Sequence, residues 1–397
     1  MLYFDNSATS PVDPEVLDAM LPYLKEEFGN PSSKYYYQAV QAQLAIDEAR
    51  ENVAKLLGTK FENVVFTAGA TESTNFILKG YMDYRRYYGD GRNHIITSIA
   101  EHKATLNTCK YLNGEIYSND DPTISLLGEK KRVNRGYEAS FVGVTKSGEI
   151  MADTIAAAIK ANTALVSVIY VNNEVGTISD IQKISKVCHE KGITFHTDVT
   201  QALGKIPINA KKMGIDYASC SAHKIYGPKG IGAALLKSDA YGIEPITAFM
   251  HGGEQEFGVR GGTLAVHDIV GFGKAAELAY NHLDENISKL KILDKIAVSE
   301  LTAIPYVRLT NPEKNRMPGI ISIIVNRQNF HNERFIKKVS DELAISTGSA
   351  CSAGEPSHVI DAMGLENDVT KVLRISIGKN SSKEDVLNLV EIIRRNL

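Results

Sequence analysis

The chain has 397 residues, 43% hydrophobic and 23% charged, which suits one large and one smaller buried core better than a single compact domain. A net charge of −3 gives no overall attraction to nucleic acid or to an anionic membrane, and no run of about eighteen apolar residues offers a membrane span. Met1-Leu2-Tyr3-Phe4-Asp5 lacks the basic and long apolar regions of a signal peptide, so a cytoplasmic protein is expected, with Cys109, Cys188, Cys220 and Cys351 as free thiols.

Residues 1–12 read as extended, with Pro11 and Pro14 delaying the first helix. Phe28 to Ser33 is a loop by its turn chemistry, and Ser33 is a candidate cap for the next helix. From Tyr37 to Leu57 the recurrence of Val40, Leu44, Val53, Leu56 and Leu57 predicts an amphipathic helix stopped by Gly58. Asn63 to Phe66 is a short buried strand, and Thr67-Ala68-Gly69-Ala70-Thr71 turns into a helix beginning near Glu72. Such a turn leaves backbone N–H groups free at a helix N-terminus, where a phosphate can bind, although its Gly/Ala/Thr content alone favours a plain strand–helix turn. His94 to Thr97 is the next strand, followed by Glu101-His102-Lys103. Leu112 to Val144, with Glu129-Lys130-Lys131-Arg132 inside it, is polar and rich in Gly, Asn and Asp, and reads as a surface excursion.

Leu165 to Val171 and Ile193 to His196 are continuous apolar or β-branched runs, as in parallel strands covered on both faces. Between them Ile181 to Lys191 is helical, with Asp180 as cap. Alternating β and α from residue 60 to 236 predicts a doubly wound, mostly parallel sheet. Ligands in such sheets sit beyond the strand carboxyl ends, where His102, Asn173, Asp198 and Lys224 fall.

Asp216 to Ser221 is a β-prone run leading into Ala222-His223-Lys224-Ile225-Tyr226-Gly227-Pro228-Lys229-Gly230. A lysine held where the backbone turns tightly can be desolvated and become a nucleophile toward a carbonyl. Upstream, Phe195 to Asp198 is a strand ending in an acid. A lysine Schiff base with an acidic partner for a pyridinium nitrogen is what pyridoxal phosphate requires. Cys220 and His223 form a C-x-x-H fragment, but no second pair completes a zinc site, so no metal is expected. His251 to Thr263 is a glycine-rich charged loop without the Gly-Lys-Ser/Thr of a nucleotide-binding loop. A long helical stretch from residue 264 leads to strands at Gly319 to Val325 and Leu373 to Ile377. The chain closes on a helix from Ser382 with a capping-box-like Ser382/Asp385 start. Ile345 to Pro356 is almost all small residues, packs little and is expected to be mobile around Cys351.

Ser221 to Gly230 closely resembles the pyridoxal-phosphate lysine motif of cysteine desulfurases of the iron–sulfur and nitrogen-fixation type, enzymes of the class V aminotransferase kind. Four further segments match in order: Asp5-Asn6-Ser7-Ala8-Thr9, Gly69 to Ser73, Val171 to Gly176, and Ser349-Ala350-Cys351. The resemblance covers nearly the whole chain. It implies an α/β protein of pyridoxal-phosphate transferase fold type I, with a large domain over residues 13–263 and a smaller α+β domain from residues 1–12 and 264–397. It implies that L-cysteine becomes L-alanine, that Lys224 carries the cofactor and acts as base at the α-carbon, and that Cys351 takes the sulfur as a persulfide. Asp198 would face the pyridine nitrogen and Ala70 and Thr71 the phosphate. His102 would stack on the ring and move protons. Asn173, Gln201, Ser221 and His223 match positions that bind the pyridoxal oxygen or phosphate. Arg374 matches the arginine that clamps the substrate carboxylate, with Asn173 beside it. Thr263 would touch the phosphate of a partner subunit, so a homodimer is implied.

Three departures qualify the match. The Leu112–Val144 stretch is longer than in the housekeeping enzymes, the chain stops at Leu397 where those carry a tail that docks the iron–sulfur scaffold, and the loop after Cys351 is shorter. A dedicated sulfur acceptor is therefore expected in place of or beside that scaffold, such as a tRNA-thiolation or DNA-phosphorothioation protein, with any nucleic acid handled by that partner. The rival readings are a selenocysteine lyase or another enzyme of the same fold such as an aminotransferase, which has no need of a thiol at Cys351.

Overall fold

The computed structural model describes residues 1–115, 133–239, 242–243, 245–312, 315–348 and 357–397. Cys351 and the Glu129-Lys130-Lys131-Arg132 cluster lie outside the described residues.

Strands that are apolar on consecutive positions need cover on both faces, and the chain supplies it. Seven strands form one sheet in the order Val64–Thr67, Gly232–Leu235, Tyr217–Ser221, Thr194–Asp198, Thr163–Ile169, His94–Ser98 and Glu138–Val142. Every neighbouring pair is parallel except the two made by Gly232–Leu235. Val64, Phe66, Ile96 and Val166 face one buried cluster, whereas Val65, Ile95 and Leu165 face another on the opposite side. This is the α/β architecture that the alternating pattern predicts, and it sends the residues that follow each parallel strand to one edge of the sheet.

A three-stranded antiparallel sheet, Val307–Leu309, Ile320–Val325 and Val372–Ser376, carries a separate buried cluster. Phe4, Leu293, Ile321, Leu373 and Leu389 belong to it, and Leu2–Tyr3 pairs in parallel with Leu343–Ala344 beside it. The last helix, Lys383–Asn396, starts with the capping box its sequence predicts: Ser382 and Asp385 each satisfy the other's backbone N–H. Helix Val266–Asn281, just beyond residue 263, buries Ile269, Phe272 and Ala276 in the cluster of the large sheet. No helix among the described residues is long and apolar enough to cross a membrane.

Several expectations change in detail. Pro14 opens the first helix, Pro14–Lys25, where its missing N–H costs nothing and Asp13 accepts the Glu15 N–H at 3.0 Å. Ser33 caps nothing, since Tyr36 stands at the N-cap of Tyr37–Leu57 without a side-chain bond. In that helix Val40 and Leu44 are exposed, and Ala42, Ile46 and Ala49 make the buried stripe with Val53 and Leu57. The helix after the phosphate-type turn begins at Ala70, two residues before Glu72. Glu138–Val142, within the expected surface excursion, is an edge strand of the large sheet, parallel to His94–Ser98. The helical stretch from residue 264 is two helices, Val266–Asn281 and Leu283–Thr302, separated at His282.

Candidate active site

Strand Val64–Thr67 ends in Ala68 and Gly69, and helix Ala70–Tyr87 starts at once. Gly69 has φ +151°, and a Cβ on neighbouring Gly232 would come within 2.6 Å of the Gly69 Cα, so two backbones meet here at a distance only glycine permits. No side chain caps the helix. Its first-turn N–H groups, at Ala70 and Thr71, line a cavity of about 540 Å³. Glu72 also lines the cavity, its carboxylate accepting from the Ala68 N–H at 2.7 Å and from Arg260 at 2.9 Å. An anion entering the cavity meets free donors and the positive end of an eighteen-residue helix.

The other strands deliver their groups to the same space. Asp198 closes strand Thr194–Asp198, is buried, and accepts the Thr200 N–H at 2.9 Å. Gln201 donates to the Ser7 carbonyl at 2.9 Å and accepts from Lys205 at 3.0 Å. Ser221 ends strand Tyr217–Ser221, and the turn after it presents His223 and Lys224. The Lys224 ammonium donates to the Ser7 and Ala8 carbonyls. Asn173 and His102 follow the strands Thr163–Ile169 and His94–Ser98 and complete the wall. Arg374, on strand Val372–Ser376, is almost wholly buried at 1% exposure. It donates to Asp5 at 2.8 Å and to the carbonyls of Asn173 and Gly348 at 3.0 and 2.8 Å. Its Nε is buried and has no hydrogen-bond partner among the described residues.

Burial governs the titration of the basic groups. It holds His102 below the usual histidine range, with Lys224 and His358 adding to the effect and Asp198 opposing it. Burial and the Lys224 charge bring His223 down to about 4, and burial with Lys224 and Arg374 brings Lys205 down to about 7. Burial also pushes the thiols of Cys188 and Cys220 up to about 12 and that of Cys109 higher still, so none of the three is a ready nucleophile.

Ten of the residues singled out in the sequence thus share one cavity: Ala70, Thr71, His102, Asn173, Asp198, Gln201, Ser221, His223, Lys224 and Arg374. Thr263 is not among the lining residues; it is exposed, next to Gly262, whose N–H donates to Gln255 at 3.1 Å. Cys351 lies outside the described residues. Sequence reasoning passed over Asp5, the carbonyls of Ser7 and Ala8, Lys205 and His358. Asp5 to Ala8 sit in a motif that matched, which was the available signal. Lys205 and His358 carried none, since their neighbours come from distant parts of the chain.

The chain matches the family model for aminotransferase class V over residues 2–117 and 124–389. Fold and site together define a fold type I enzyme of that class. Cysteine desulfurase IscS of Rickettsia typhi is 37% identical over 396 residues, which cover 99% of this chain and 90% of that protein. A solved NifS-like protein superposes with a TM-score of 0.86 at 32% identity, covering 99% of this chain and 98% of its own. SspA in complex with cysteine superposes with a TM-score of 0.78 at 34% identity, covering 96% and 100%. The chain belongs to the cysteine desulfurases.

Proposed function

We propose that this protein holds pyridoxal phosphate on Lys224, converts L-cysteine to L-alanine, and passes the sulfur through a persulfide on Cys351 to an acceptor protein. The observation that carries this reading is the meeting of Lys224, Asp198, His102 and the uncapped Ala70–Thr71 turn in one cavity at the carboxyl ends of parallel strands. The residues fit the cofactor by their chemistry. The Ala70 and Thr71 N–H groups, with Ser221 and His223, suit its phosphate, and Asn173 and Gln201 its ring oxygen. The buried Asp198 carboxylate suits a ring nitrogen that must keep its proton. When bound, the cofactor supplies an electron sink for the bonds broken in the substrate.

The chain's own groups do the rest. Arg374 receives the substrate carboxylate, a fork-shaped task that lysine performs poorly. Lys224, in its uncharged amine form, takes the proton from the substrate α-carbon. Cys351, as thiolate, bonds to the substrate sulfur and keeps it as a persulfide. Thr263 from a partner subunit reaches the phosphate in a homodimer. The acceptor is an iron–sulfur scaffold, a tRNA-thiolation protein or a DNA-phosphorothioation protein.

The test uses sulfur-35 L-cysteine and the cofactor-loaded protein. Alanine and protein-bound sulfur should appear together, and Cys351→Ser should keep the cofactor and lose both. Label found at wild-type rates on Cys109, Cys188 or Cys220 would overturn the choice of thiol.

A further inference from the structure

Strand Thr194–Asp198 runs into a tight turn that brings one more basic group up to the cavity from behind. Gly204 stands at φ +66°, where a Cβ would come within 3.0 Å of Ala279 and 3.1 Å of Ile225, a backbone and a space that favour glycine. The Lys205 N–H then donates to the Ala202 carbonyl at 3.0 Å, and the side chain returns over Gln201. Lys205 lines a second cavity, of about 300 Å³, and not the first. Gln201 lines the first and not the second, and Lys224 lines both. The Gln201 amide is held at its two ends. Nε2 donates to the Ser7 carbonyl at 2.9 Å, and Oε1 accepts from the Lys205 Nζ at 3.0 Å. A carbonyl can only accept, and the lysine nitrogen has N–H to donate whether charged or neutral, so the partners fix which end of the amide is which. Nε2 carries two N–H groups and Ser7 takes one, which leaves one for the cavity that Gln201 lines. The Ser7 carbonyl also accepts from Lys224, so the anchor at Oε1 is the one not shared with the reacting lysine.

We propose that Lys205 is a positioning residue: from the second cavity it fixes the Gln201 amide so that an N–H, and not the amide oxygen, meets the ring oxygen of the cofactor. This rests on the cofactor reading above. Lys205 stays outside the first cavity and acts through Gln201 alone. With Lys205 in place, turning the amide over would set its oxygen against the Ser7 carbonyl and its N–H groups against a second donor. Without it, Oε1 loses its partner and a single hydrogen bond to a shared carbonyl remains to hold the group.

The test titrates pyridoxal phosphate into the cofactor-free protein. Lys205→Met keeps the length of the side chain and removes its donor, and should weaken binding about 10-fold, with Gln201→Leu losing a similar factor. The double variant should be no weaker than Gln201→Leu alone, because the lysine acts only through that amide. Lys205→Arg, for whose larger head the second cavity has room, should bind within a few-fold of wild type. In the loaded protein, an N–H on the ring oxygen favours the deprotonated cofactor. The pH midpoint of its colour change should therefore rise by about one unit in Lys205→Met, and by no more in the double variant than in Gln201→Leu. Wild-type affinity and midpoint in Lys205→Met would mean that the lysine only fills space, and would overturn the assignment. Losses that multiply in the double variant would show a direct effect of the Lys205 charge and overturn it equally, as would a Lys205→Arg as weak as Lys205→Met. If wild type itself takes up no pyridoxal phosphate, the cofactor reading has failed instead, and the two outcomes are thereby separated.

Discussion

Glu101 sits beside the cavity with its carboxyl enclosed, one oxygen accepting from Ser98 at 2.6 Å. Burial pushes it from the ordinary 4.5 up to about 8, with the Asp198 charge adding to the shift. The folded carboxyl thus holds a proton that the unfolded chain gives up once pH passes 4.5. Between 4.5 and 8 the unfolded state binds fewer protons at this group, so its contribution to stability falls as pH rises, by about 1.4 kcal/mol per pH unit. His94, His196 and His223 act in the other direction, since burial brings them to about 4, 3 and 4 from 6.5. They stay neutral when folded, and stability from them is lost as acid protonates the unfolded chain below 6.5. Glu101→Gln isolates one term from this sum. Urea unfolding at pH 5 and pH 7.5 should show the variant gaining on wild type by about 3 kcal/mol between the two. A difference that does not change with pH would mean that Glu101 ionises normally.

Among the elements, the loop from Met250 to Thr263 depends on one buried pair. Glu256 accepts from both terminal nitrogens of Arg50, at 2.6 and 2.8 Å, and from the Phe66 N–H at 2.6 Å, with side chains 0% and 5% exposed. Arg50 also lies over the rings of Phe66 and Phe257. Glu256→Gln leaves the guanidinium buried without a counter-charge, which should cost about 3–5 kcal/mol in chemical unfolding and open the loop to proteolysis. The double substitution Arg50→Met with Glu256→Leu, which removes both charges at once, should recover most of the stability. This clamp was invisible in the sequence because its partners stand 206 residues apart. What was legible is what local periodicity and punctuation specify. The helix Tyr37–Leu57 has the bounds its pattern and Gly58 announce, and Asp180 caps Ile181–Glu190 as its spacing suggests. Val40 and Leu44 misled because periodicity marks an apolar stripe without saying what covers it. At the site, Lys224 and Asp198 could be placed because each follows a strand signal, with resemblance supplying the roles. His358 could not, since the Glu101 carbonyl that holds it at the cavity stands 257 residues away.

For the molecule as a whole, the same Val40 and Leu44 bear on assembly. They stand four residues apart on one helix face, 46% and 57% exposed, with Tyr37 and Phe257 exposed as well. Apolar surface of this kind on a helix suits contact with a second copy, in keeping with the homodimer proposed above. Sedimentation equilibrium should give twice the 43.5 kDa chain mass, and Val40→Glu with Leu44→Glu should shift the protein toward the monomer. A wild-type mass of one chain would remove the dimer. The pairing of Leu2–Tyr3 with Leu343–Ala344, and of Asp5 with Arg374, also sets the order of events during synthesis. Leu2 and Tyr3 lack their partners until some 340 further residues have been made, on the order of 20–70 seconds at ordinary elongation rates. Arg374 and its counter-charge Asp5, 369 positions apart, therefore meet only after everything between them has been made, so this wall of the cavity is among the last parts of it to be assembled.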